Sequence, residues 1–443
     1  MQSSAPASAS KAVFEPSEDH KLKASARLDQ TIRGIPPGVD VSDGAVEMQR
    51  WGPADGSMVL PVLTMNMAAF ASNTEAFLKF ASDEGVDLAP HAKTPMIPEI
   101  AASLVERGAW GATVANTQQL AVIQGSRIRN IIFASPPGGA AGCAHLVKTL
   151  SLCPGTNVYV FLDSLEAVNA LCSALKQTPG AMAHGLIEVG FGRTGARTLQ
   201  RCLDVRDAIL ETGGTIRLSG VATYEAAAVT ATESQEATFA RLFRLVADAY
   251  KSVVTETGPD DPLIISAGGS AYFDEVIRAL KPLIDERSGS RLVLRSGALF
   301  FSDNGLYQRA FSAMAERGVA APIARTIRPT LSLWAEIISL PEDDLAIAGF
   351  GMRDAPNDQG LPIAKQVLRN GRKLEIEPEA LPQVDRLNDQ HAFLIGQSTS
   401  QLQVGDIVEL GISHPCTALQ RWRVIFGLGE DGKVDRVFRT QFG

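Results

Sequence analysis

An alternation of two kinds of segment limits the possible folds more than anything else in this chain. From about residue 60 to about residue 300, short apolar runs rich in β-branched residues take turns with Ala- and Leu-rich stretches of helical spacing. The runs are MVLPVLTM, VDLAPHAK, GATVAN, NIIFAS, NVYVFLD, HGLIEVG, IRLSGVATY, PLIISAG and RLVLRSG. Between them lie stretches such as NTEAFLKFASDEG, MIPEIAASLVERGA, SLEAVNALCSALKQ and ESQEATFARLFRLVADAYKSVVTET. Strands joined through helices pair in parallel, because each crossover returns the chain to the same end of the sheet. About eight such repeats over about 250 residues predict a (β/α)8 barrel, with a doubly wound sheet as the alternative.

Beyond residue 312 the pattern changes. TLSLWAEIISL, DLAIAGFGM, AFLIGQ, DIVELGI, RWRVIFGL and KVDRVFRT read as short strands with little helix between them, hence a separate β domain. The expected organisation is a flexible Ser-, Ala- and Pro-rich tail at 1–22, an N-terminal extension at 23–55 packing on the β domain, a barrel at 56–311 and the β domain at 312–443.

Composition excludes several classes of function. A formal net charge of −8 argues against a partner that is nucleic acid or anionic membrane. The five cysteines are few and irregularly spaced, which suits reduced thiols in a cytoplasmic protein better than a disulfide framework. The N-terminus lacks the basic-then-apolar order of a signal peptide, and no apolar run is long enough to span a membrane.

Four stretches could carry chemistry. In VDLAPHAKTP, Lys93 ends a strand-like run and His91 precedes it by two residues, on the same face of a strand. Barrel chemistry sits at the C-terminal strand ends, where such a lysine could serve as a Schiff-base nucleophile. On position alone, a surface lysine is the simpler reading. In IEVGFGRTGAR, three glycines surround Arg193, which could donate to an anionic oxygen or merely lie in a βα turn. In IISAGGSAYF, Gly268, Gly269 and Ser270 follow a late strand, where such barrels often hold phosphate through main-chain N–H groups. In ISHPCTALQRW, His414 and Cys416 lie two apart in a chain with only six histidines and five cysteines. Two ligands are too few for a structural zinc site, yet a catalytic metal keeps open positions.

Together, in this order, these pieces resemble the D-serine dehydratase and D-threonine aldolase family, pyridoxal-phosphate enzymes of the alanine racemase-like fold. PHAKTP is similar to the family's lysine motif, GFGRTG to its arginine motif, VATYEA and ISAGGS to the motifs that follow, and HPCTALQRW to its C-terminal metal motif. The resemblance runs from about residue 30 to the end. It implies that Lys93 binds pyridoxal 5′-phosphate as a Schiff base and moves the Cα proton. His91 would lie close to the cofactor, Arg193 near its phenolate oxygen and Tyr224 near its ring nitrogen. Gly268, Gly269 and Ser270 would hold the phosphate, while His414 and Cys416 would bind a divalent ion, zinc by its ligand chemistry. His391 would lie near the site. The implied protein is a homodimer acting on a small amino acid.

The implied reaction is β-elimination from D-serine or a related β-hydroxy D-amino acid. Cys416, where the aldolases carry an aspartate, favours this over D-threonine-type cleavage; a cofactor-binding protein without turnover is the third reading. Two features depart from the family pattern. LVLRSGALFFSD keeps Arg295, Gly297 and Asp303 but has Ala298 and Leu299 where an aromatic is expected, and Arg353 replaces a lysine.

Overall fold

The computed structural model describes residues 26–229, 233–318 and 320–442. The expected tail at 1–22 lies outside the described residues, as do residues 23–25. The described residues form two compact units, one within residues 77–297 and 313–324 and the other within residues 26–76, 298–312 and 325–442.

Three strands come first in the chain: β1 (Arg27–Asp29) and β2 (Asp40–Ser42), which pair antiparallel, and β3 (Val62–Asn66). The barrel strands follow as β4 (Asp87–Leu88), β5 (Ala112–Val114), β6 (Asn130–Phe133), β7 (Asn157–Leu162), β8 (Ala183–Glu188), β9 (Ile216–Ala222), β10 (Ile264–Ala267) and β11 (Arg291–Leu294). They form one parallel sheet in the order β4-β11-β10-β9-β8-β7-β6-β5. The seam between β4 and β5 is closed just past β4, where His91 bridges Thr113 in parallel and the Ala92 N–H reaches Thr113 O at 2.8 Å.

Local chemistry explains the alternation. The strands are apolar along their whole length because helices cover one face and the barrel core the other; every residue of β8 is buried. Asn116, Ser164, Thr198 and Ser234 each accept the N–H three residues on, so four of the crossover helices begin on a side-chain N-cap. β9 carries one extra residue against β8: Gly185 faces Leu218, while Leu186 faces Gly220. This bulge absorbs Ser219 and re-phases the end of β9, so that Ala222 comes opposite Glu188. Gly220 has φ +134°, and a Cβ there would stand 1.9 Å from Ile264 O, so only glycine fits.

The second unit is built on β12 (Leu331–Glu342), β13 (Leu345–Ala348), β14 (Ile363–Arg369), β15 (Arg372–Lys373), β16 (Gln383–Leu387), β17 (Ala392–Ile395), β18 (Ile407–Gly411), β19 (Val424–Leu428) and β20 (Val434–Arg439). Its sheet runs β15-β14-β18-β12-β13-β17-β16, with β3 pairing both β12 and β19, and β20 pairing β19. The position of β3 corrects the sequence reading, which counted MVLPVLTM among the barrel strands. The run is apolar because Val62, Leu63, Thr64 and Met65 are all buried between neighbours in the β unit. Hydropathy records burial and does not record which sheet provides it.

Candidate active site

The barrel interior contains an apolar layer of Ala89, Ile132, Phe161, Leu186, Ala222, Ile264 and Val293. A residue two positions further along a strand shares its predecessor's face. Two positions on, toward the C-terminal strand ends, the same faces carry His91, Ala134, Asp163, Glu188, Tyr224, Ser266 and Arg295. Six of these seven are polar, so the core ends and a polar mouth begins within one step of the strand period.

Contacts knit this mouth together. The Arg295 guanidinium lies 5.3 Å from the Phe161 ring centre and donates to Ser266 Oγ at 2.8 Å and Thr223 O at 2.6 Å. Glu188 accepts from Thr194 Oγ1 at 2.8 Å, and Asp163 accepts from the Gly195 N–H at 3.0 Å. Burial pushes the Glu188 carboxyl above its ordinary pKa, against the Thr194 hydrogen bond. His91 is pushed well below its ordinary value by burial and then by the positive charges of Lys93, Arg295 and Arg193. It is therefore a neutral imidazole at pH 7. Its Nδ1 lies 3.5 Å from the Lys93 N–H.

The residues expected at the cofactor site meet here. Lys93 is exposed just past β4. Arg193, at the tip of the glycine loop, places its guanidinium 4.9 Å from the Tyr224 ring centre. A Cβ on Gly269 would stand 2.9 Å from Tyr224 Cε2, so this glycine lets the turn after β10 close on the tyrosine. Ser270 is buried in the same turn. The Gly268 and Gly269 N–H groups, expected to meet a phosphate, donate to the Glu225 carboxylate at 3.2 and 2.7 Å.

Sequence reasoning passed over three residues of this mouth. Glu188 and Glu225 drew no attention, although the strand period places Glu188 on the inner face. Arg197 donates to the carbonyls of Gly190, Arg193, Thr194 and Gly195 and so fixes the loop that presents Arg193. The fit of a polar cofactor rests on one atom. Glu188 Oε2 is buried without a hydrogen-bond partner, and buried polar atoms are rarely left so. A ligand bearing polar groups suits the mouth.

In the β unit, His414 starts the short helix Pro415–Leu419, which also holds Cys416. His414 donates Nδ1–H to Asp358 Oδ2 at 2.6 Å, and Thr417 Oγ1 donates to Asp358 Oδ1 at 2.8 Å. Burial alone would lower the His414 pKa, but hydrogen bonds to Cys416 and Asp358 raise it to about 9. Burial raises Asp303 to about 6; its Oδ2 has no partner, although it lies within electrostatic reach of His414. The Asp358 loop is pinned by Trp422, whose Nε1–H donates to Asp354 O at 3.0 Å, and by Arg33, whose guanidinium stacks 3.7 Å over Trp422 and pairs with Asp354. Asp358 was missed because its partner is 56 residues away.

The donor set fits a soft divalent ion: one imidazole oriented by a carboxylate, and one thiol. Among the described residues no group of three or more His, Cys, Asp or Glu is assembled to hold a metal. Of the remaining residues singled out from the sequence, His391 is exposed in the turn after β16, and Arg353 pairs with Asp389 at 3.0 Å.

Comparison with known proteins agrees with the fold. Residues 330–428 match the family model described as "Putative serine dehydratase domain". A D-threonine aldolase of Arthrobacter sp is 24% identical over 339 residues, 75% of this chain and 80% of that protein. Among solved structures, D-threonine aldolase from Filomicrobium marinum aligns with a TM-score of 0.68 at 18% identity, covering 87% of this chain and 95% of that one. D-threo-3-hydroxyaspartate dehydratase from Delftia sp. HT23 gives 0.66 at 19%, covering 88% and 99%. Alanine racemase from Bacillus anthracis gives 0.56 at 17%, covering 86% and 97%. The chain thus has the alanine racemase-like fold, its residues 330–428 match a putative serine dehydratase domain, and its sequence is similar to that of a lyase, a D-threonine aldolase.

Proposed function

We propose that this chain is a pyridoxal-phosphate- and metal-dependent D-amino-acid dehydratase. Its substrate is D-serine or a related β-hydroxy D-amino acid, and its products are a 2-oxo acid and ammonia. The observation that carries the reading is the polar mouth of the barrel: Lys93 and neutral His91 at its edge, Arg193 on Tyr224, and the buried, unpartnered Glu188 Oε2.

Bound pyridoxal phosphate supplies a sink for the electrons released at the substrate's Cα, and a bound divalent ion supplies a Lewis acid for the hydroxyl that leaves. The side chains supply the rest. Lys93 Nζ would be the group that binds the cofactor's aldehyde, and its amine would carry the Cα proton. Neutral His91 would lie beside the cofactor without adding charge. Arg193 would serve the phenolate oxygen, Tyr224 the ring nitrogen and Ser270 the phosphate. In the β unit, Asp358 holds the His414 ring so that the imidazole and the Cys416 thiolate can ligate zinc.

A D-threonine-type aldolase, yielding glycine and an aldehyde, is the second reading, favoured by the aldolase among the relatives. Cys416 favours the dehydratase. A homodimer and a cytoplasmic location belong to the same proposal; no helix among the described residues is long and apolar enough to cross a membrane.

Two variants test the assignment. Lys93→Ala should lose the yellow, borohydride-reducible absorbance of the bound cofactor; a variant that kept it would remove Lys93 from that role. Cys416→Ala should lose most activity and its zinc while still binding the cofactor. Full activity in this variant would end the metal reading.

A further inference from the structure

Glu225 follows Tyr224 directly and begins a single turn of 3-10 helix. Its side chain has no solvent exposure. One carboxylate oxygen accepts the Gly269 N–H at 2.7 Å and the other the Gly268 N–H at 3.2 Å. Arg295 lies within electrostatic reach of it with the opposite charge. The turn is shaped around this tenant: a Cβ on Gly269 would stand 3.2 Å from Glu225 Oε1 as well as 2.9 Å from Tyr224 Cε2. Gly269 thus leaves room for Tyr224 and for this internal anion, while Gly268 is required by its φ of +79° and by Leu294, whose Cδ2 would stand 2.6 Å from a Cβ. A phosphate taking the same two N–H groups would bring its negative charge against a carboxylate with no route to water.

We propose that Glu225 is a positioning residue for the cofactor's phosphate. Its carboxylate stays on Gly268 and Gly269 when the cofactor binds, and so fixes the turn that presents Ser270 and supports Tyr224. The phosphate is held by Ser270 and not by the two glycine N–H groups. This rests on the reading that the barrel mouth takes pyridoxal 5′-phosphate.

The test is equilibrium binding of pyridoxal 5′-phosphate and of pyridoxal, which lacks the phosphate, to the cofactor-free full-length protein. Wild type, Ser270→Ala and Glu225→Gln are compared, with thermal unfolding as a control. Ser270→Ala should weaken the phosphorylated form and spare pyridoxal, which checks the underlying reading independently of Glu225. Glu225→Gln sets an amide NH2 against one of the two N–H groups. It should weaken the phosphorylated form by about tenfold or more, the scale of a lost hydrogen bond to a charged group, with pyridoxal affinity changed by less than about twofold. Equal loss for both ligands would mean a general structural role and overturn the proposal. Tighter phosphate binding in Glu225→Gln would mean that Glu225 competes with the phosphate, and would overturn it too. A wild type that binds neither ligand removes the reading and the proposal together. If Glu225→Gln does not fold, a crystal structure of the loaded wild type decides: Glu225 on both N–H groups upholds the proposal, and phosphate there refutes it.

Discussion

His184, at the start of β8, sits buried with Nδ1 2.9 Å from Ser219 Oγ and its Nε2 without a partner. Burial, with help from Arg217, lowers its pKa from 6.5 to about 4. The folded state thus favours the neutral ring, and the unfolded chain binds the extra proton between those values. His184 stabilises the fold fully above about pH 6.5, and that contribution falls away as the pH drops toward 4. His184→Gln should therefore flatten the acid side of a melting-temperature profile relative to wild type; an unchanged slope between pH 7 and pH 5 would contradict this. Asp358 gives a second prediction at this scale. Without its hydrogen bond to His414, Asp358→Ala should bind zinc roughly 10–100-fold more weakly, as metal titration would show. Single residues were legible where they lie close in sequence, as His91 and Lys93 do, although Lys93 falls in a turn past the strand and not on its face. Glu225 and Asp358 were not, because their partners lie 43, 44 and 56 residues away and only the fold brings them together.

At the scale of elements, the β9 bulge sets the phase of the strand that leads to Tyr224. Gly220→Ala would force a Cβ into Ile264 O at an unfavourable φ. It should cost about 1–3 kcal/mol or more, read as a lower unfolding midpoint and less cofactor bound per chain. A variant as stable as wild type would show that the bulge is not required. The elements themselves were largely readable: the helical and strand periods separate cleanly over the barrel, and side-chain N-caps mark several helix starts. The bulge was hidden, since one extra residue leaves no trace in an apolar run. The partner of β3 was hidden for the same reason: a strand buried on both faces looks alike in either sheet.

At the scale of the whole molecule, an aldolase and a dehydratase align with this chain almost equally well. The fold therefore admits both reactions, and the choice lies in the site. Both reactions begin by breaking a bond to Cα of a β-hydroxy amino acid, Cα–H in the elimination and Cα–Cβ in the cleavage. D-Threonine separates them, because the two outcomes leave different carbon skeletons. The decisive measurement is product analysis after incubating the purified full-length protein with pyridoxal phosphate, zinc and D-threonine. The account predicts 2-oxobutyrate and ammonia in equal amounts; glycine and acetaldehyde in their place would contradict it.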